Sequence, residues 1–89
     1  MKEQQESSQD TLEAVQKDNE LVVFNDEVNT FDHVINTLIR VCKHSSEQAQ
    51  QCTLIIHFKG KCTVKTGPVD KLKPQGQGIL DAGIQSEIG

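Results

Sequence analysis

The sequence predicts a small α+β domain preceded by a polar tail. Three observations carry this prediction: a short apolar run, LVVF; apolar residues at helical spacing after it; and a closing segment, IQSEI, that alternates apolar and polar residues. The first 19 residues carry five acids, two bases and few apolar side chains. Such a segment buries too little to offset its ordering entropy. We therefore predict a disordered tail over 1–19 and one folded domain over 20–89.

The first strand and helix follow from short-range patterns. The β-branched and aromatic run ELVVFN (20–25) predicts a strand. Asn29 is a favourable N-cap, Asp32 stands where a capping-box acid would stand, and Ser46 can cap a second helix. The helical spacing that predicts a first helix over about 30–43 is formed by Phe31, Val34, Ile35, Leu38 and Cys42.

The segment QQCTLIIHFKGKCTVKTG (50–67) fits two structures. TLIIHF and KCTVKT can pair as a hairpin around Lys59-Gly60, or a helix can run through His57 and end at Gly60 before a strand. Spacing alone slightly favours the hairpin. Pro68 then stands where a first-turn proline would stand, but the glycines and proline that follow make a poor helix. IQSEI (84–88) predicts the last strand.

Composition argues against several classes of protein. The predicted domain carries eight acids and seven bases, so it lacks the basic stripe of a nucleic-acid-binding surface. No apolar stretch approaches the roughly 20 residues of a membrane span, and no signal-peptide pattern opens the chain. We therefore expect a cytoplasmic protein with no nucleic-acid or membrane partner.

The three cysteines predict reduced thiols rather than a metal site. Their number is odd, no C-x-x-C occurs, and the spacing of Cys42, His44, Cys52, His57 and Cys62 fits no standard zinc pattern. We expect no metal and no cofactor. A small enzyme using Cys52 or Cys62 with His57 and Asp26 is the alternative from a different class. It lacks an evident third group, and rapid alkylation of a thiolate would reveal it.

Polar residues crowd the stretch FNDEVNTFDHV (24–34). Asn25, Asp26, Glu27, Asn29 and Asp32 lie between the first strand and the first helix. Such residues are most often turn formers. The same set of oxygen acceptors would also suit a bound cation.

The chain resembles the ClpS family, whose members are adaptors of the ATP-dependent Clp protease. The resemblance lies in FNDE (24–27), NTFDHV (29–34) and LIIHFKGKC (54–62), and it covers about residues 20 to 88. It implies that the segment ending in His57 is a helix. The fold is then β-α-α-β-α-β, with three helices packed on one face of a three-stranded antiparallel sheet.

The family binds the free α-amino group of a protein and encloses its first side chain. Carried over by position, Asn25, Asp26 and His57 would hold the amine. An ammonium group offers three donors and no acceptor, so acceptors suit it. The resemblance implies a hydrophobic pocket formed by Asn29, Phe31, Val34, Thr53 and Ile56. The C-terminal segment's contribution stays open, because AGIQSEI can be placed in two registers.

Two departures from the family pattern bear on specificity. Phe31 and Thr53 stand where family members commonly have Met, so we expect an altered ranking among hydrophobic N-termini. The resemblance implies a non-catalytic, monomeric adaptor that delivers N-degron substrates with Leu, Phe, Tyr or Trp first to a ClpA- or ClpC-like AAA+ ATPase. Asp70, with Lys71 or Lys73, lies near the positions that contact that ATPase. The alternative is a domain of the same fold that modulates a Clp ATPase without reading N-termini.

Overall fold

The computed structural model describes residues 18–89. Most of the predicted tail, residues 1–17, lies outside the described part, and Asn19 already belongs to the first strand. The elements are β1 (Asn19–Phe24), α1 (Phe31–Cys42), α2 (Ser46–Lys59), β2 (Lys61–Gly67), α3 (Val69–Asp81) and β3 (Ser86–Ile88). This order confirms the β-α-α-β-α-β fold. Within residues 18–89, no helix is long and apolar enough to cross a membrane.

The central strand of the sheet is β1. It pairs antiparallel with β2 on one side and β3 on the other, giving the order β2-β1-β3. Leu21 and Val23 have no exposed surface, whereas Val22 and Phe24 are half-buried. Because alternate strand residues point to opposite faces, the helices cover the Leu21 face and leave the other face open.

Two helices begin one residue away from their predicted caps. Thr30, not Asn29, caps α1, and Ser45, not Ser46, caps α2; each hydroxyl accepts from the backbone N–H three residues on. Asp32 is therefore one position too early to close a capping box on Thr30. The Asn29 side chain bonds elsewhere, to the loop before α1 and to the turn after α3.

The hairpin that spacing favoured for residues 50–67 is wrong. α2 continues to Lys59, and Gly60 ends it in the left-handed region at φ 93°, where glycine has no steric penalty. The buried residues of α2 recur at helical spacing and are Ala49, Cys52, Thr53 and Ile56. Burial against the sheet and α1 thus selects the helix, as the family resemblance implied.

The third helix forms despite its glycines and Pro74. A Cβ on Gly78 would lie 3.0 Å from Cγ1 of Val41, and a Cβ on Gly76 would lie 3.3 Å from Cδ1 of Leu21. The missing side chains therefore let α3 approach α1 and β1 closely. Pro68 is the N-cap of this helix and lies one residue before its first turn, not within it.

The core lies between the sheet and the helices. The last strand is shorter than predicted: it starts at Ser86, and Ile84 is buried in the core instead. Ser86 donates from Oγ to the Gly76 carbonyl at 3.2 Å, which ties β3 to α3. The largest fully buried side chains are those of Leu21, Leu38, Leu72, Ile79, Val23, Thr37 and Cys42.

Candidate functional site

The loop between β1 and α1 is organised by the Asp26 carboxylate. Its Oδ1 accepts hydrogen bonds from the backbone N–H groups of Val28 at 2.9 Å and Asn29 at 2.8 Å. Its Oδ2 accepts from Asn29 Nδ2 at 2.7 Å. These bonds, first of all the one from the Asn29 backbone, lower the pKa of Asp26. Some of these polar residues therefore stabilise the turn, and the ionised carboxylate of Asp26 lies at the centre of their hydrogen bonds.

Two side chains tether this loop to the turn between α3 and β3. Asn29 Nδ2 donates to the Gly83 carbonyl at 2.9 Å. His33 Nε2–H donates to the Ala82 carbonyl at 2.8 Å. At the other end of the loop, the Asn25 N–H donates to the Gly60 carbonyl at 2.9 Å. The loop is therefore fixed to the start of β2 and to the C-terminal segment.

A cavity of about 450 Å³ opens between this loop, the start of α1 and the last turns of α2. It brings together all eight residues that the sequence placed in the amine site and the hydrophobic pocket. Glu27 and Thr30 also line it, but Asp32 does not. Its lining residues are Asn25, Asp26, Glu27, Asn29, Thr30, Phe31, Val34, Thr53, Ile56 and His57.

The cavity has a polar part and an apolar part. Val34, Thr53 and Ile56 are buried, being 8%, 3% and 3% exposed. Thr53 donates from Oγ1 to the Ala49 carbonyl at 2.7 Å, so its hydroxyl hydrogen is used within α2. Apart from this hydroxyl, the Thr53 side chain consists of Cβ and one methyl group. The buried wall is therefore largely apolar.

His57, which lines the cavity, is in edge-to-face contact with two phenylalanine rings, of which only Phe31 also lines the cavity. The Phe31 ring centroid lies 5.1 Å from that of His57, with the planes at 72°, and Phe58 lies 4.9 Å from His57 at 79°. Phe31 is 40% exposed and Phe58 is 77% exposed. Contacts of this kind orient the imidazole between two rings. The rings of Phe31 and Phe58 thus restrict the orientation of the His57 side chain.

Charge at the cavity favours a cation. Asp26 and Glu27 are acidic, and no Lys or Arg occurs among the described residues that line it. Asn25 and His57 add acceptors, the histidine when it is neutral. A cationic group with an attached apolar side chain would match both parts of the cavity.

The predicted ATPase-contact residues lie apart from this cavity. Asp70, Lys71 and Lys73 are exposed and lie in the first five residues of α3. Lys73 borders a different groove, of about 340 Å³, between α3 and β3. None of these three residues lines the cavity.

Burial disfavours the thiolate form of two of the three cysteines. Cys42 and Cys52 are buried and Cys62 is half-buried; all three are free thiols. Burial raises the pKa of Cys42 to about 11 and that of Cys62 to about 12. Because the thiolate is the reactive form, burial makes these two thiols weaker nucleophiles at neutral pH than an ordinary cysteine. Among residues 18–89, no three His, Cys, Asp or Glu side chains are grouped to hold a metal ion.

The residues that sequence reasoning missed are of two kinds. Thr30 lies inside the polar stretch that the sequence singled out, so its position was available. The carbonyls of Ala82 and Gly83 support the loop through His33 and Asn29, and no sequence signal marks them.

The fold is a small α+β domain with a cavity that combines acidic residues and hydrogen-bond acceptors with a buried apolar wall. Comparison with known proteins is more specific. Residues 14–87 match the family model described as "ATP-dependent Clp protease adaptor protein ClpS". The chain belongs to the ClpS family of adaptor proteins of the ATP-dependent Clp protease.

Individual relatives agree with this membership. The ClpS adapter protein of Thermosynechococcus vestitus is 31% identical over 65 residues, which are 72% of this chain and 69% of the relative. That of a Nostoc species is 28% identical over 80 residues, 89% of this chain and 82% of the relative. The fold is similar to that of Agrobacterium tumefaciens ClpS2 bound to L-phenylalaninamide, with a TM-score of 0.70 and 14% identity, covering 83% of this chain and 96% of the other.

Proposed function

We propose that this protein is a non-catalytic adaptor that binds proteins by a free N-terminus with a bulky hydrophobic first residue (Leu, Phe, Tyr or Trp). It would deliver them to a Clp AAA+ unfoldase for degradation. The observation that carries the proposal is the single cavity that combines acceptors and acidic charge with a buried apolar wall.

The chemistry of an N-terminal residue matches the two parts of the cavity. Its ammonium group needs acceptors, which Asn25, Asp26 and neutral His57 offer. Its side chain would lie against Phe31, Val34 and Ile56, beside Asn29 and Thr53. A hydrogen bond to a charged group contributes about 1.5–3 kcal/mol, and full burial of a Leu or Phe side chain contributes about the same. After the cost of association, both parts are needed for micromolar binding.

The structural relative supports the same ligand chemistry. A. tumefaciens ClpS2 was solved bound to L-phenylalaninamide, a molecule with a free α-amine and a benzyl side chain. The present cavity, of about 450 Å³, has room for such a ligand.

Phe31 and Thr53 would set the ranking of first residues. Thr53 is a short side chain on the buried wall, and Phe31 is a stiff ring at the open edge, against His57. We expect the order of affinities for Leu, Phe, Trp and Ile peptides to differ from that of relatives with two methionines at these positions. An unchanged order would contradict this role.

The partner would be a ClpA- or ClpC-like ATPase in the cytoplasm, contacted by a monomer of this protein. The exposed Asp70, Lys71 and Lys73 on α3 are the residues we place at that contact. Because they lie outside the cavity, substrate and ATPase could be held at the same time. Charge reversal at Asp70 should weaken binding to the ATPase and leave peptide binding unchanged.

The test is fluorescence anisotropy with a labelled peptide that starts with Phe, compared with the same peptide N-acetylated. We expect micromolar or tighter binding that acetylation abolishes and that Asn25→Ala or His57→Ala weakens. Asn36→Ala is the matched control, since Asn36 is an exposed asparagine on α1 outside the cavity. Binding of neither peptide would refute N-terminal recognition and leave the alternative, a domain that modulates a Clp ATPase without reading N-termini.

A further inference from the structure

Most of the hydrogen-bonding capacity of Asp26 is used inside the protein. A carboxylate has about four acceptor positions. Three of those of Asp26 are taken by the backbone N–H groups of Val28 and Asn29 and by Asn29 Nδ2, at 2.7 to 2.9 Å. About one position is left for a ligand. A ligand's ammonium group therefore needs acceptors other than this carboxylate.

The side-chain amide of Asn29 has one possible orientation. Its nitrogen lies 2.7 Å from Asp26 Oδ2 and 2.9 Å from the Gly83 carbonyl oxygen. A carboxylate and a carbonyl only accept, so the NH2 group must face them, and both of its hydrogens are used. The side-chain oxygen of Asn29 is then its remaining polar atom.

This oxygen is free to accept a hydrogen bond from a ligand. Thr30 caps α1, so the Asn29 oxygen is not needed for the helix end. It accepts no hydrogen bond from any group within residues 18–89, and Asn29 lines the cavity. The Asn25 side chain lines the cavity too, but no hydrogen bond from residues 18–89 holds its amide. Asn29 is thus the acceptor whose orientation is set before a ligand arrives, which lowers the ordering cost of binding.

We propose that the side-chain oxygen of Asn29 accepts a hydrogen bond from the α-ammonium group of the bound N-terminus, and that Asp26 and the Gly83 carbonyl position it. The inference rests on the proposed function. It moves Asn29 from the pocket wall to the amine site. It also gives Asp26 two tasks: holding the Asn29 amide, and supplying negative charge near the amine.

The experiment is a cycle of two proteins and two ligands. The proteins are the wild type and Asn29→Ala. The ligands are a peptide starting with Phe and the same peptide with 3-phenylpropanoyl in place of Phe, which keeps the benzyl group and lacks the amine. A chemical-shift titration follows even weak binding. A general loss of pocket shape lowers both affinities, whereas a loss confined to the amine site lowers only the first. The Asn29 13Cγ measurement given below separates a lost bond from Asn29 from a displaced Asp26.

We expect Asn29→Ala to lower the affinity for the free-amine peptide about 10- to 100-fold, which is the range for the loss of one hydrogen bond to a charged group. The affinity for the desamino peptide should change by less than about twofold. The control Asn36→Ala should leave both affinities unchanged. An equal loss for both ligands, or no loss for either, would overturn the role of Asn29.

Two outcomes separate this inference from the proposed function. If wild-type protein prefers the free amine and Asn29→Ala keeps that preference in full, only the inference is wrong. If wild-type protein binds both peptides equally, recognition of the amine itself is wrong and the Asn29 role falls with it.

A measurement on the wild type covers the case in which Asn29→Ala does not fold. In labelled protein, the Asn29 side-chain 13Cγ signal should shift when the free-amine peptide binds, because its oxygen gains a donor. The desamino peptide should leave that signal in place. An unmoved signal at saturation with the free-amine peptide would refute the proposal.

Discussion

Replacing Asp26 with asparagine should destabilise the whole domain, although Asp26 lies in a loop. The new amide oxygen can still accept from the backbone N–H groups of Val28 and Asn29, but as a neutral and weaker acceptor. The new NH2 group would face the NH2 group of Asn29, now 2.7 Å from Oδ2, so two donors would meet. The tether from Asn29 to Gly83 would loosen with it.

The size of the effect follows from these three bonds. A hydrogen bond to a charged group contributes about 1.5–3 kcal/mol and one to a neutral group about 0.5–1.5 kcal/mol. Because the loop is open to water, we discount the sum and expect a loss of about 2 kcal/mol for Asp26→Asn. That is a large part of the roughly 4–11 kcal/mol typical of a domain of this size. The melting temperature should fall by about 8–16 °C.

Urea and thermal unfolding followed by circular dichroism measure this difference. Glu27→Gln is the matched control, since Glu27 is an exposed acid next in sequence whose side chain makes no hydrogen bond within residues 18–89. The pH dependence gives a second check. The lowered pKa of Asp26 stabilises the wild type above the unfolded value of about 4, and this contribution is lost as the pH falls through the folded value. Equal stability of wild type and Asp26→Asn at neutral pH, or a difference that persists in strong acid, would refute this account.

Two further predictions concern binding and packing. At low salt, a peptide starting Leu-Lys should bind better than one starting Leu-Glu, because Asp26 and Glu27 border the cavity, and added salt should shrink the difference; equal binding at low salt would contradict it. Gly78→Leu should cost about 1–3 kcal/mol, because its Cβ would meet an α1 side chain at 3.0 Å, and the exposed control Gln77→Leu should cost much less.

Local patterns were sufficient for the first strand and the first helix and insufficient for the middle of the chain. The run 20–25 and the spacing from Phe31 to Cys42 predicted β1 and α1 to within one residue. The segment 50–67 contains apolar residues that satisfy both a period of two and a period of 3.6, so the pattern favoured a hairpin. Packing against α1 and the sheet decides it. Ala49, Cys52, Thr53 and Ile56 are buried whereas Leu54 is 40% exposed, which fits one face of a helix and not the alternation of a strand.

Intrinsic helix propensity did not predict α3, for a related reason. Its glycines and Pro74 lower intrinsic helix stability, but Gly76 and Gly78 allow backbone approaches that a Cβ would obstruct. The packing contacts of α3 with α1 and β1 at these two glycines outweigh its low intrinsic helix propensity. A sequence shows the missing side chain and does not show what lies opposite it.

The sequence by itself determined the chemistry available at the site. The ClpS resemblance named the predicted acceptors Asn25, Asp26 and His57 and the predicted pocket residues Val34 and Ile56, because its motifs lie in two short segments of the chain. These segments flank a single cavity in the structure.

The tertiary structure alone decided how each polar side chain is used. The sequence predicts Asn29 to be a helix cap. In the structure, its side-chain amide donates to the Asp26 carboxylate and to the backbone carbonyl of Gly83, which is 54 residues away in the chain. Thr30 takes over the cap, and the cavity gains an oriented oxygen. Side-chain hydrogen bonds depend on which backbone atoms the fold brings within about 3 Å, and that distance is set by packing rather than by neighbours in the chain.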